Sequence, residues 1–485
     1  TTSGIRSPGG IGMNLAGEAA PLVGGRSVAL SDGLAFFRSA EAAQARRRLR
    51  QVSVSSNGEP ADGDSTRPVV SGDGRQIAFE SSAGNLVAAS PEGVSAIYLH
   101  DRVNNVTSLL RIDTAIAVPQ SPLRDAALSA DGRHVAAAIA DDEGIRQIVV
   151  HDRDTDADGV LDEPDAVRSA LISVNSFGER GERDSVSPAL SADGRYVAFV
   201  SDSSRLVREA PPASQPSELH TRALFHDRDA DANGSFDDGP AMPMTYLALD
   251  VLLQPPSLSG DGSRVAFSSV SDFLLEEVNR NDFCINLNSA SSSCADPFVR
   301  DFAGDETFLG SLGAGGEQGD NASANAALAA NGTVLSFASA ATNLVPGDTN
   351  GATDVFVRDL AGGTTERVSV ASDGSQANGG SAARNGALSA DGRFVVFASD
   401  ADNLVDGDTN DACKDPTGRG SSTNCSDIFR HDRLTGFTER ISVGDDGREG
   451  DGASLQPSLS FDGEVIAFRS RASSLADPGN TGGFA

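Results

Sequence analysis

The chain has 485 residues, 69 of them acidic and 38 basic, for a formal charge of −31. An acidic excess of that size argues against nucleic-acid phosphates or anionic membranes as main partners. With 39% hydrophobic residues, 52 glycines and no tryptophan, the composition is that of a folded protein dense in small side chains, not of an acidic disordered one.

In chain order, residues 1–33 read as an N-terminal extension. The start at Thr1, without Met or a basic-then-apolar leader, is what a mature exported product shows, although a chain trimmed for another reason starts the same way. Two apolar runs follow, Leu34-Ala35-Phe36-Phe37 and Leu49 to Val54. Then one phrase recurs, first as Val70-Ser71-Gly72-Asp73-Gly74 and next as Leu128-Ser129-Ala130-Asp131-Gly132. Further copies begin at Leu190, Leu258, Leu328, Leu388 and Leu459, at spacings of 58 to 71 residues. Asp-Gly or Asn-Gly between alternating apolar runs predicts a tight hairpin, because those residues take left-handed torsions readily.

Each of the first six hairpins is followed by a third run ending in aspartate, such as Val355-Phe356-Val357-Arg358-Asp359, and then by a fourth, such as Glu366-Arg367-Val368-Ser369-Val370. Four short strands per unit, seven times over, predict an all-β protein: a seven-bladed β-propeller of four-stranded blades. The seventh unit stops after its hairpin. The expected closure pairs the N-terminal strands 34–54 with this C-terminal blade, giving a single propeller over 34–485. No run approaches the roughly 18 apolar residues of a membrane span.

The phrase Pro188-Ala189-Leu190-Ser191-Ala192-Asp193-Gly194-Arg195-Tyr196-Val197-Ala198-Phe199 resembles the TolB-like, WD-like propeller repeat of bacterial periplasmic and surface proteins. The resemblance covers roughly residues 45 to 485 and implies the fold. It leaves chemistry open, since that repeat serves transport scaffolds, peptidase accessory domains and some lyases. The N-terminal α/β domain of TolB has no counterpart here, and neither does a Gly-x-Ser-x-Gly hydrolase motif.

Two loops between third and fourth strands carry metal-ligand patterns. From Asp154, oxygen ligands fall at Asp154, Asp156, Asp158, the Val160 carbonyl, Asp162 and Asp165, with Gly159 at the sharp turn. That is the spacing of an EF-hand calcium loop, with Asp165 in place of the usual Glu and no flanking helices. Unit three repeats it with Asp229, Asp231, Asn233, Ser235, Asp237 and Asp238. A second loop family, between second and third strands, offers Asp348, Asn350 and Asp354 in unit five and Asp408, Asn410 and Asp427 in unit six. There, metal binding competes with a network of Asx turns.

Cys284 with Cys294 and Cys413 with Cys425 lie ten and twelve residues apart in polar stretches without zinc-site spacing. They read as two local disulfides and point to an extracellular, cell-surface or periplasmic location. Five Gly-to-Ser pairs seven residues apart, Gly58 to Ser65 being the first, predict one shared loop before the inner strands. His100, His151, His226 and His431 share one repeat position and are expected to partner the aspartate that follows them. No nucleophile, phosphate loop or catalytic residue stands out. The expected protein is an exported, calcium-stabilised scaffold that binds an envelope or extracellular protein or a glycan, and no nucleic acid. The alternative is a polysaccharide lyase or hydrolase working in the central channel.

Overall fold

The computed structural model describes residues 5–6, 12–13, 49–88, 90–91, 94–112, 122–207, 221–237, 244–271, 274, 295–383, 387–409 and 425–475. The chain divides into two units, Thr1–Arg50 and Gln51–Ala485. The first contains an antiparallel pair of two-residue strands, Ile5–Arg6 with Gly12–Met13.

In the second unit the repeats fold as antiparallel meanders. The first runs Ser65–Val70, Gln76–Ser81, Ala96–Asp101 and Val106–Leu109, each strand paired with the next. Five more four-stranded sheets of the same order follow, between Leu123 and Arg440. The second strand is buried at all six positions in Gln76–Ser81 and again in Val334–Ser339, because neighbouring sheets cover both its faces. Within blades, aromatics on second and third strands stack at 5.8–6.1 Å: Phe79 on Tyr98, Phe267 on Phe298, Phe337 on Phe356 and Phe397 on Phe429.

The Asp-Gly turns do two jobs. In the first, Ser71 Oγ donates to Asp73 Oδ1, which also accepts the Arg75 N–H, so the turn is bound by its own side chains. The fifth turn changes both partners together, with Ala329 for Ser and Asn331 for Asp, and Asn331 Oδ1 bonds Thr333 instead. Each turn also links to the next. Main-chain N–H groups of Asp73, Ala130, Ala192, Gly260, Asn331 and Ala390 donate to the following turn, and Phe461 donates back to Gly72 O at 2.8 Å.

The turn glycine has φ near +70° in all seven copies, and the residue that opens one unit's second strand lies against the next unit's glycine. A Cβ on Gly132 would come within 2.5 Å of Gln76, one on Gly392 within 2.8 Å of Val334, and one on Gly74 within 2.8 Å of Val465. The glycine is therefore required twice, by torsion and by contact. First strands carry bulges at which non-glycine residues turn left-handed: Arg67, Asp125, Ser187, Asn325 and Gln456, at φ 51–58°.

The expected count of seven four-stranded blades is corrected to six. The seventh hairpin, Ser454–Leu459 with Ile466–Ser470, forms a two-stranded sheet among the described residues. The strand expected at 34–37 lies outside the described residues. Of the second expected strand, Val52 packs with Val70, Ile77 and Ala467, which puts it against both the first blade and the seventh hairpin. The hairpin also contacts the first blade directly, with Val70 N–H donating to Ser458 Oγ and Arg67 N–H to Gln456 Oε1.

The Gly-to-Ser loops have one conformation, as expected. Gly58, Gly178, Gly316, Gly374 and Gly447 sit at φ 78–85°. The serine seven residues later bonds a serine on the second strand, as in Ser65 with Ser81 and Ser185 with Ser201.

Candidate metal centre

The loop after the third strand of blade two, Arg146–Asp152, begins at Asp152-Arg153-Asp154. Asp154 is buried, and its carboxylate accepts the N–H groups of Asp158 (3.1 Å) and Gly159 (3.0 Å). This folds the loop so that carboxylate oxygens of Asp154, Asp156 and Asp158 all lie within 4.8 Å of one another. Such closeness is electrostatically unfavourable. Local desolvation, then the hydrogen bond and charges of Asp154 and Asp158, push the Asp156 carboxyl up. Glu163 is pushed up chiefly by the charge of Asp158. A hard cation among these oxygens would relieve that repulsion.

Blade three repeats the frame. Asp229 accepts the N–H groups of Asn233 (2.9 Å) and Gly234 (3.2 Å), Asn233 Nδ2 bonds Asp231, and Ser235 N–H donates to Asn233 Oδ1. Ala157 and Ala232, at φ 58° and 55°, adopt the same torsion in the two loops.

The later acids of both loops go elsewhere. Asp162 makes a bidentate pair with the buried Arg153, at 2.8 and 2.6 Å, and accepts Ser108 Oγ of blade one. Asp237 pairs with the buried Arg228, whose Nε and Nη2 both donate to its Oδ2, and its carbonyl accepts Arg168 of blade two. The second half of each loop therefore grips its own arginine and the preceding blade. In blade two the first half alone, Asp154, Asp156 and Asp158, gathers oxygens, while in blade three Asn233 turns its Nδ2 to Asp231. Val160 and Asp165 are exposed, and Asp238 lies outside the described residues.

In the second loop family a guanidinium stands among the carboxylates. Arg367 Nη1 is 3.0 Å from Asp348 and 3.4 Å from Asp354, and Asn350 Nδ2 bonds Asp354. Arg440 Nη1 lies 3.1 Å from Asp408, 3.5 Å from Asp427 and 2.8 Å from Glu449. Burial, against the pull of Arg440, still leaves the Asp408 carboxyl at about 6. Asn410 is outside the described residues. These arginines, like Arg153 and Arg228, are functional neighbours that the pattern of acids did not single out. Their signal was in the sequence, as an Arg immediately before each loop's first Asp and an Arg inside each Glu-Arg-(Val/Ile)-Ser-Val strand. Of the cysteines, Cys425 is buried, and Cys284, Cys294 and Cys413 lie outside the described residues.

The histidines do not partner the aspartates. Arg75 takes Asp101, Arg133 takes Asp152, Arg195 takes Asp227 and Arg393 takes Asp432. The imidazoles instead bond hydroxyls on the fourth strand: His100 with Thr107, His151 with Ser169 and His431 with Thr438. Arg wins because its fork matches a carboxylate bidentately.

This arrangement sets a pH dependence. Burial pushes His100, His151, His226 and His431 below their usual range, so below about pH 6.5 the unfolded chain binds more protons than the folded one. Their contribution is present above that pH and is lost as pH falls through the folded values. For Asp101, burial pushes the carboxyl up, but Arg75 and two backbone N–H groups more than reverse it, leaving it at about 2. Thermal melts should therefore show stability falling first below about pH 6.5 and again below about pH 4. A midpoint that is flat from pH 8 to 5 would contradict the histidine assignment.

No protein-family model matches the sequence, and no curated protein matches it. Among solved structures, TolB from Acinetobacter baumannii aligns at 12% identity and TM-score 0.37, over 76% of this chain and 64% of its own. An oligogalacturonate lyase in complex with manganese aligns at 11% and 0.44, over 85% and 88%. The Pyrococcus horikoshii acylaminoacyl peptidase aligns at 10% and 0.41, over 78% and 46%. The chain thus spans less than two thirds of the TolB and peptidase chains. What decides its own description is the four-stranded meander, repeated six times among the described residues with an Asp-Gly or Asn-Gly turn between its first and second strands. The chain is an all-β propeller of four-stranded blades.

In this propeller both acidic loops lie at the ends of strands that share a rim with the Asp-Gly turns, on adjacent blades two and three. Among the described residues no helix is long and apolar enough to cross a membrane.

Proposed function

We propose that the protein is an exported, calcium-stabilised propeller that serves as a binding scaffold for an envelope or extracellular protein or a glycan. The observation that carries this reading is the linked set of turns. The linking position holds Gly72, Ala130, Ala192, Gly260, Ala330 and Ala390, with Phe461 as its one large side chain. Apart from Phe461, the linking position presents backbone and methyl groups, which supports a scaffold over an enzyme at this end of the channel. Binding is tested with the purified propeller against fractionated envelope proteins and surface glycans. A partner counts only if its titration with purified components saturates.

The alternative has one specific observation behind it. On the first and second strands Arg67 bridges Glu80 and Asp125 at 3.0 and 2.9 Å, and two of the three have left-handed backbones. A lyase or hydrolase acting on acidic polysaccharide would use such a cluster, and release of new chain ends from polyuronate would favour it.

Calcium belongs at the first halves of the blade-two and blade-three loops on this reading. A cation at about one hundred times its Kd stabilises by about 2.7 kcal/mol, roughly 3 °C per site in a domain of this size. Chelation should lower the melting midpoint by that amount, calcium should restore it, and Asp156→Asn with Asp158→Asn should remove the blade-two share. No shift on chelation would end the metal assignment. The two cysteine pairs are proposed as disulfides at the bases of their insertions, and the seventh blade as completed by residues 34–54.

A further inference from the structure

Of the seven main-chain links around the turn rim, six join consecutive units, whose turns the chain itself tethers at spacings of 58 to 71 residues. The seventh, from Phe461 N–H to Gly72 O, joins the last turn to the first. Bringing together segments from opposite ends of the repeat array costs more loop-closure entropy than joining neighbours. This seam therefore starts at a disadvantage that the other six links do not share.

The side chains of the rim change at the seam. Elsewhere methyl meets methyl: a Cβ on Gly260 would lie 3.4 Å from Ala330 Cβ and 3.5 Å from Ala192 Cβ. At the seam the phenyl of Phe461 lies over Gly72, with Cδ2 and Cε2 both 2.7 Å from the place of a Gly72 Cβ, and Ala130 Cα follows at 3.0 Å. Gly72 is buried, whereas Ala130, Ala192, Gly260, Ala330 and Ala390 are half-buried. Gly72 does not take a left-handed φ, so space and not torsion calls for glycine there.

Three further contacts cross the seam: Val70 N–H to Ser458 Oγ, Arg67 N–H to Gln456 Oε1, and Val465 against Gly74. All three have counterparts between tethered units, in Leu328 with Ser257, Asn325 with Gln254, and Gln76 against Gly132. The phenyl on glycine has none, because every other linking position holds Gly or Ala.

We infer that Phe461 is an inner latch: seated on Gly72, it holds the last turn to the first and sets how often the ring opens at its seam. A phenyl buries more apolar surface than a methyl, which strengthens the one link that no short tether supports. The latch acts at the turn rim, whatever covers the outer strands of the seventh unit, and does not depend on the calcium or binding readings.

Melting midpoints test the seat, and hydrogen exchange tests the seam. Gly72→Ala should lower the midpoint by several degrees in the wild-type background and by clearly less in Phe461→Ala, where methyl meets methyl as in the other units. Gly260→Ala should have the same effect in both backgrounds. In the full chain, Phe461→Ala should speed backbone exchange several-fold over residues 67–73 and 458–461 and leave residues 189–192 and 258–260 unchanged. Exchange that rises evenly around the rim, or nowhere, overturns the latch. So does a Gly72→Ala effect that is equal in the two backgrounds. Should Phe461→Ala fail to fold, Phe461→Leu, which keeps an apolar side chain but loses the ring edge, takes its place in both comparisons.

Discussion

Gly262→Ala should lower the stability of the propeller by about 2–4 kcal/mol, combining roughly 1 kcal/mol for a left-handed non-glycine with roughly 1–3 for overpacking. The added methyl would sit within 2.6 Å of Tyr196 Cγ. That ring cannot swing away. It stacks on Phe225 at 5.3 Å, the Arg195 guanidinium lies 4.9 Å from its centroid, and Phe225 is itself backed by Phe302 at 4.4 Å. The matched control is Gly58→Ala. Gly58 has φ +83° and nothing within 4 Å of the place a methyl would take, so it suffers only the torsional cost of about 1 kcal/mol. Adding Tyr196→Ala to Gly262→Ala should recover part of the loss in a double-mutant cycle. Equal effects at Gly58 and Gly262 would mean that the contact between units carries no weight.

Removing residues 1–55 should cost more. Phe468 holds the second-strand place that Phe337 and Phe397 hold in blades five and six, where both are fully buried and stacked, yet it is only half-buried among the described residues. Val52 reaches the Val70–Ile77–Ala467 cluster from the segment to be deleted. If strands 34–37 and 49–54 complete this sheet, the truncation strips two or three large apolar side chains of their cover at roughly 1.5–3 kcal/mol each. A loss of about 5 kcal/mol, roughly 5 °C or more, is expected. Removing only residues 1–33 should leave the midpoint where it was. If both truncations melt like the full chain, the seventh sheet is complete without the N-terminal segment.

The fold was legible because its determinants are local. Each Asp-Gly turn is bound by side chains two residues apart, and each strand announces itself within six residues, so neither needs tertiary information. The turns that open the acidic loops were legible for the same reason, since Asp154 takes the N–H groups of Asp158 and Gly159. What escaped was every choice among competing partners in space. Asp162 was assigned to a cation by its spacing, but Arg153 lies beside it with a matching fork. His100 was assigned to Asp101 by adjacency, yet successive residues of a strand face opposite sides, so Arg75 reaches that aspartate from the turn before the neighbouring strand and Thr107 meets the imidazole. The blade count failed at the seventh repeat, whose hairpin forms a two-stranded sheet among the described residues.

The links between turns are made by main-chain atoms alone, each running from one turn's N–H to the next turn's carbonyl. Such a rim does not read sequence. A unit that keeps the turn geometry keeps these links whatever its strands carry outward, except beside Phe461, where the alanine of other units in the place of Gly72 would meet the ring at 2.7 Å. The specificity of the molecule is left to the loops and outer strands, where the units already differ most.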